Sequence, residues 1–196
     1  MAANANSQGT FNRPINHVAI SCTDIDALVQ WYAEVLGFQV ISDVRHCKRS
    51  VDPTPFDTIF VSYPAETLQE LKFAIMTSGN GVGIELFQFI DPAPEPGTGG
   101  GFNFTRTGFF HICVTDNNPE VLLSQIESRG GKRVGDYMDY SRYGLEGHKG
   151  IYTQDPWGNV IEVMSISLER VSSTGEALAK AAETLQKLAR ESEQKL

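Results

Sequence analysis

Four side chains combine metal-ligand chemistry with a suggestive spacing: His17, Glu85, His111 and Glu162. Each histidine stands at the start of an alternating run, HVAIS at 17–21 and HICVT at 111–115, the period-2 pattern of a half-buried strand. Each glutamate is wedged between bulky apolar neighbours, Ile84-Glu85-Leu86 and Ile161-Glu162-Val163. A carboxylate inside such a strand is costly unless it is paired or metal-bound. A single one is explained by a nearby arginine. Two, at equivalent places in a repeat that also places two histidines equivalently, form a more specific pattern. Two imidazoles and two carboxylates neutralise a divalent ion and suit Zn, Ni, Co, Fe or Mn. The absence of cysteine from the set argues against a purely structural zinc site.

The elements that would position these residues form two similar units. In the first, Ile15–Cys22 reads as a strand and Thr23-Asp24 offers a helix cap. Leu28, Trp31, Tyr32, Val35 and Leu36 recur at helical spacing, and Gly37 ends the helix. Phe38–Val44 reads as a strand. Arg45–Leu71 is expected to begin as a loop around Pro53 and Pro55, with a short strand at Ile59–Tyr63 and a helical turn at Pro64–Glu70. Leu71–Thr77 and Val82–Ile90 are strands joined through Ser78-Gly79-Asn80-Gly81, a hairpin signal. After a Pro/Gly-rich stretch the pattern repeats: strand Phe109–Thr115, a helix through Val121, Leu122, Gln125 and Ile126 stopped by Gly130-Gly131, and a polar loop Tyr137–Lys149. Strand Ile151–Gln154, the turn Asp155-Pro156-Trp157-Gly158 and strand Val160–Ile166 complete the unit. Each unit reads as βαβββ. His17 precedes Glu85 by 68 residues and His111 precedes Glu162 by 51, so an insertion is expected in the first unit, at 45–71.

The resulting division is a disordered leader at 1–13, a first module at 14–90, a connector at 91–108, a second module at 109–167 and a C-terminal amphipathic helix at 168–196. In the last segment Ser173 to Glu176 has capping-box spacing, and Leu178, Ala181, Leu185 and Leu188 mark one apolar stripe. The 196 residues carry a formal charge of −8, which disfavours nucleic acid and anionic membrane surfaces as partners. No apolar run suits a bilayer span or a signal core, and Cys22, Cys47 and Cys113 read as thiols in a reducing, cytoplasmic compartment.

HVAI at 17–20, GIELF around Glu85, FHICV at 110–114 and DPWGNVIEV at 155–163 resemble the vicinal oxygen chelate superfamily. Its members include glyoxalase I, methylmalonyl-CoA epimerase, extradiol dioxygenases and fosfomycin- or bleomycin-resistance proteins. The resemblance covers roughly residues 14–166, with the Asp-Pro-x-Gly-Asn-x-x-Glu run at 155–162 its most specific part. It implies an α+β fold of paired βαβββ modules, their curved mixed sheets surrounding a metal-containing cleft, with His17, Glu85, His111 and Glu162 at the ligand positions. Proteins of this fold are commonly dimers, so a homodimer is expected.

Strand alternation then sorts the surrounding residues. Ala19 and Ser21 share the face of His17, Phe87 and Phe89 that of Glu85, Cys113 and Thr115 that of His111, and Val160 and Met164 that of Glu162. A mostly apolar, aromatic lining suits a small hydrophobic or aromatic oxygenated substrate. His148 borders this region from the second-unit loop. Glyoxalase I enzymes that use glutathione place an Arg four residues after the first ligand and an Asn four after the second; Ser21 and Phe89 stand there instead. A matching arginine, Arg106, precedes the third ligand. The expected function is therefore a divalent-metal-dependent isomerase or lyase that binds vicinal oxygens and moves a proton with Glu85 or Glu162. The alternatives are an Fe(II) ring-cleaving dioxygenase, which needs one carboxylate to vacate, and a sequestration protein of the resistance type, which a complete ligand set disfavours.

Overall fold

The computed structural model describes residues 13–51, 57–94, 103–105 and 107–193. The leader up to Thr10, Pro53, Pro55 and Arg106 lie outside them. The chain divides into two compact units, Met1–Pro96 and Gly97–Leu196.

The first unit runs β1 (His17–Ser21), α1 (Ile25–Leu36), β2 (Gln39–Lys48), α2 (Asp57–Val61), β3 (Glu70–Thr77) and β4 (Gly83–Asp91). Its four strands form a mixed sheet in the order β1-β4-β3-β2, with β1 and β4 parallel and the other pairs antiparallel. Asp24 caps α1 by accepting from the Ala27 amide at 3.1 Å, a contact worth about 1 kcal/mol. Gly37 takes the left-handed conformation (φ 69°) that lets the chain leave the helix. Ile25, Leu28, Trp31, Tyr32 and Val35 are the buried face of α1, which packs across β2, β3 and β4. Two polar contacts fix the same side of the sheet: Gln88 accepts from the Ile25 amide at 3.1 Å, and Lys72 reaches Asp26 at 2.7 Å. Alternation turns Glu85, Phe87 and Phe89 to the opposite side.

The insertion differs from its sequence reading. Strand β2 continues to Lys48 because Arg45, His46, Cys47 and Lys48 pair with Phe73, Lys72, Leu71 and Glu70. Glu70 draws both His46 (2.6 Å) and Lys48 (3.1 Å), so the polar residues that precede Pro53 and Pro55 are paired across the sheet. Ile59–Tyr63, expected as a strand, instead carries the end of α2 with Phe60 turned into the core. A run of that length does not distinguish strand from helix by periodicity. Residues 65–67 form a turn, with the Thr67 amide donating to Pro64 O at 3.0 Å. At the β3–β4 hairpin only Gly81 takes positive φ (82°); Asn80 does not.

The second unit runs β5 (Ile112–Thr115), α3 (Pro119–Ser128), β6 (Lys132–Asp139), a 3₁₀ turn at Ser141–Tyr143, β7 (Lys149–Gln154), β8 (Val160–Met164) and α4 (Leu168–Glu193). Its sheet repeats the first, in the order β5-β8-β7-β6. The Asp155 turn is closed by its own carboxylate, which accepts from the Trp157 amide (2.9 Å), the Asn159 amide (2.8 Å) and the Asn159 side chain (2.7 Å). This places the β7–β8 corner, and therefore Glu162. The polar stretch from Tyr137 is partly strand, since β6 extends to Asp139 by pairing with β7. His111 directly precedes β5, which is shorter than expected. The last helix starts at Leu168, so Ser173 lies within it and does not cap it. The three cysteines form no disulfide. No helix among the described residues is long and apolar enough to cross a membrane.

Candidate functional site

Each unit contributes one His–Glu pair. In the first, β1 lies parallel to β4 with His17 opposite Gly83 and Ala19 opposite Glu85, so His17 and Glu85 share a face one step apart. His17 Nε2 stands 3.4 Å from Glu85 Oε2. In the second, β5 lies parallel to β8 with Cys113 opposite Glu162, and His111 Nε2 stands 3.2 Å from Glu162 Oε2. Among the described residues the donors occur as pairs, and no group of three or more His, Cys, Asp or Glu side chains gathers in one place.

The donor chemistry fits a divalent ion. Two ligands about 2.1 Å from one metal are about 3.4 Å apart in a tetrahedral site and about 3.0 Å apart in an octahedral one. Both pairs fall within that interval. The second shell differs between units. His17 Nδ1 lies 2.8 Å from Asn16 Oδ1; with Nδ1 donating, the lone pair of Nε2 is left for a metal. His111 Nδ1 is buried without a hydrogen-bond partner among the described residues, and its ring is held edge-on by Phe110 (4.4 Å) and Tyr152 (5.3 Å).

The carboxylates have different neighbours. Across the sheet Glu85 is flanked by Ala19 and Ile75, which offer no hydrogen. Glu162 is flanked by Cys113 and Tyr152. Cys113 keeps an exposed surface, yet burial around the thiol and the Glu162 carboxylate push its pKa up to about 12. Burial, then the charge of Glu162, also pushes Tyr140 up to about 12 and raises Tyr152. These three groups are therefore protonated at neutral pH, which removes Cys113 as a ready nucleophile.

The other candidates are placed as follows. Ser21 is exposed on the His17 face, with Phe87 opposite it, and Phe87 stacks on Phe89 at 5.8 Å. Thr115 is exposed, and Val160 is half-buried at the start of β8. Met164 is buried beneath Tyr140, with Leu145 and Ile166. His148 Nδ1 contacts Ser165 Oγ at 3.2 Å. Of the three tyrosines between 137 and 143, Tyr140 turns inward, Tyr143 packs against the cluster around it, and Tyr137, in β6, lies under Arg133 (5.3 Å) and Lys149 (5.4 Å). Tyr152, beside His111 and Glu162, is absent from the residues singled out in the sequence. Its alternation within Ile151–Gln154 was legible, but the register against Glu162 was not.

The folded units and their repeated pairs define a class, and sequence comparison agrees: the chain belongs to the Glyoxalase/Bleomycin resistance protein/Dioxygenase superfamily, whose profile matches residues 14–163. Among curated proteins it is 22% identical over 157 residues to a 2-epi-5-epi-valiolone epimerase of Actinomyces sp., covering 78% of this chain and 79% of that one. Among solved structures it resembles a glyoxalase family protein of Bacillus cereus, with TM-score 0.63, 16% identity, and coverage of 82% of this chain and 97% of that one. A glyoxylase/bleomycin resistance protein/dioxygenase domain from Frankia sp. EAN1pec is similar at TM-score 0.51 and 18% identity, covering 79% and 98%. At these identities the two structures establish the fold.

Proposed function

We propose that the protein is a divalent-metal-dependent isomerase in which His17, Glu85, His111 and Glu162 hold one ion. The observation that carries this reading is the repeat of the same His–Glu pair in both units, each with its donor atoms 3.2–3.4 Å apart. When bound, the ion supplies Lewis acidity toward adjacent oxygen atoms of a substrate. The two imidazoles are neutral donors, and the two carboxylates balance the charge. Glu85 is the proton carrier, because Ala19 and Ile75 leave its oxygens without competing hydrogens. Glu162 is the static carboxylate, set across the sheet between Cys113 and Tyr152, whose S–H and O–H groups Ala19 and Ile75 lack beside Glu85. Similarity to a protein named as an epimerase supports proton transfer at a stereocentre over ring cleavage. The functional unit is a homodimer, as is common for this fold and for oligomers in general.

The experiment is a screen of metabolite extracts in D₂O with protein purified free of chelator. The expected result is a one-mass-unit gain in a small set of compounds, lost when the metal is stripped. Oxygen consumption with catechols, and no deuterium gain, would replace this reading with the dioxygenase one.

A further inference from the structure

The first unit carries an addition on the Glu85 side of its sheet. One side chain ties it together: Arg49 Nε donates to Leu68 O at 2.8 Å, and its Nη2 donates to the carbonyls of Phe60 and Tyr63, both at 3.2 Å. The same guanidinium lies 4.9 Å over the Phe60 ring. Phe60 and Leu68 are buried with Cys47, Leu71 and Phe73, and the half-buried Phe87 and Phe89 pack against this cluster. Because Leu71 and Phe73 pair with Phe89 and Phe87, the addition covers the face that carries Glu85.

The cover is incomplete. An open cleft of about 400 Å³ remains, lined by Ser21, Tyr63, Thr67, Leu68, Phe89 and the prolines that follow β4. Its apolar wall is aromatic and ordered: Phe89 stacks on Phe87 with 8° between the planes, and Tyr63 meets Phe89 at 6.2 Å, edge to face. Two hydroxyls enter the lining. The Ser21 hydroxyl makes no hydrogen bond among the described residues, and Thr67 donates to Pro64 O at 2.8 Å, so its oxygen still accepts. Among the described residues, no lining side chain is charged.

We propose that this cleft is a binding subsite for a neutral, hydroxyl-bearing aromatic ring. Edge and face positions around Phe89 and Tyr63 reward a flat ring, and Ser21 and Thr67 suit a hydroxyl on it. The uncharged lining gives nothing to repay desolvation of a carboxylate or phosphate. Four strand residues, about 13 Å, separate Glu85 from Phe89. The ring is therefore the remote end of a longer molecule whose oxygens reach the metal; that role, though not the binding itself, rests on the metal reading.

The test uses full-length, metal-stripped protein and 4-methylphenol, followed by saturation-transfer NMR. The expected result is saturable binding that weakens at least tenfold in Ser21→Phe, which fills the cleft from an exposed strand position. Tyr63→Ala weakens it too, while Val61→Ala, on the outside of α2, leaves it unchanged. 4-Methylbenzoate and cyclohexanol bind at least tenfold more weakly than 4-methylphenol. Absence of saturable binding, indifference to Ser21→Phe, or equal binding of cyclohexanol or 4-methylbenzoate would each overturn the proposal. Metal content is measured separately on unstripped protein: a metal-free preparation that binds 4-methylphenol removes the metal reading and leaves the cleft standing.

Discussion

The hydroxyl of Tyr140 occupies the space that a side chain on residue 150 would need: a Cβ added to Gly150 would lie 2.6 Å from Tyr140 Oη and 3.0 Å from Met138 Cε. Tyr140 is 8% exposed and covers Met164, Leu145 and Ile166. Gly150→Ala therefore has to rotate the whole phenol ring. The expected cost is about 1–3 kcal/mol in chemical denaturation. Tyr140→Phe removes the atom in closest conflict, so the double variant should recover part of that loss. Strictly additive losses would show that the two residues do not compete for this space.

Removing either imidazole leaves carboxylates with too few partners for a divalent ion. His17→Ala and His111→Ala should each lower metal content at least tenfold after purification without chelator, measured by elemental analysis; loss of a mere second-shell partner already costs about 10–100-fold in affinity. Normal metal content in both variants would refute the site.

The two glutamates should fail differently. Glu85→Gln keeps the side chain's size and an oxygen donor while removing its basicity. It should retain metal but slow solvent-deuterium exchange by about 100-fold or more. Glu162→Gln should slow exchange far less than Glu85→Gln at equal metal content, because that carboxylate has no assigned proton-carrying role. Equal and mild losses in both would mean that neither is the base.

The strands that carry the two His–Glu pairs were legible in the sequence. Alternation in HVAIS and HICVT, and glutamates enclosed by Ile, Leu and Val, identify strands with one chemical face. The Asp155 turn could be read because Pro156 fixes φ and Gly158 tolerates the positive φ (92°) that the turn needs. What escaped was set by partners distant in sequence. Arg45–Lys48 is strand only because β3 supplies Phe73 and Glu70 opposite it. The five residues of α2 become helix in a context where Phe60 is buried against Cys47, Leu71 and Phe73. Tyr152 lies opposite Glu162 through sheet register, and Tyr140 fills the space that Gly150 leaves; neither relation has a local sequence signal.

Glutathione should not be required for turnover. The positions four residues after His17 and Glu85 hold Ser21 and Phe89, and both line a cleft that has no charged side chain among the described residues. Such a lining gives a zwitterionic tripeptide no counter-charge. The assay is lactoylglutathione formation from methylglyoxal and glutathione. No rate above background is expected; efficient turnover would mean that charged anchors come from elsewhere in the chain.

The final helix should be needed for assembly but not for metal binding. Helix α4 spans 26 residues, and its packing within the second unit is confined mainly to the 3₁₀ turn at Ser141–Tyr143. Beyond that contact it exposes Leu178 (43%) and Leu185 (67%), and Leu168 at its start is 68% exposed. An isolated helix of this composition is marginal in water, and each leucine fully buried against a partner contributes about 1.5–3 kcal/mol before ordering entropy. A second copy of the chain is the expected partner. Truncation after Ser167 should therefore convert the dimer to monomer in light scattering, or lower its solubility. The four proposed metal ligands all precede that point, so metal content should be unchanged. A truncated protein that stays dimeric would place the dimer contact elsewhere, and a full-length monomer would reject the dimer itself.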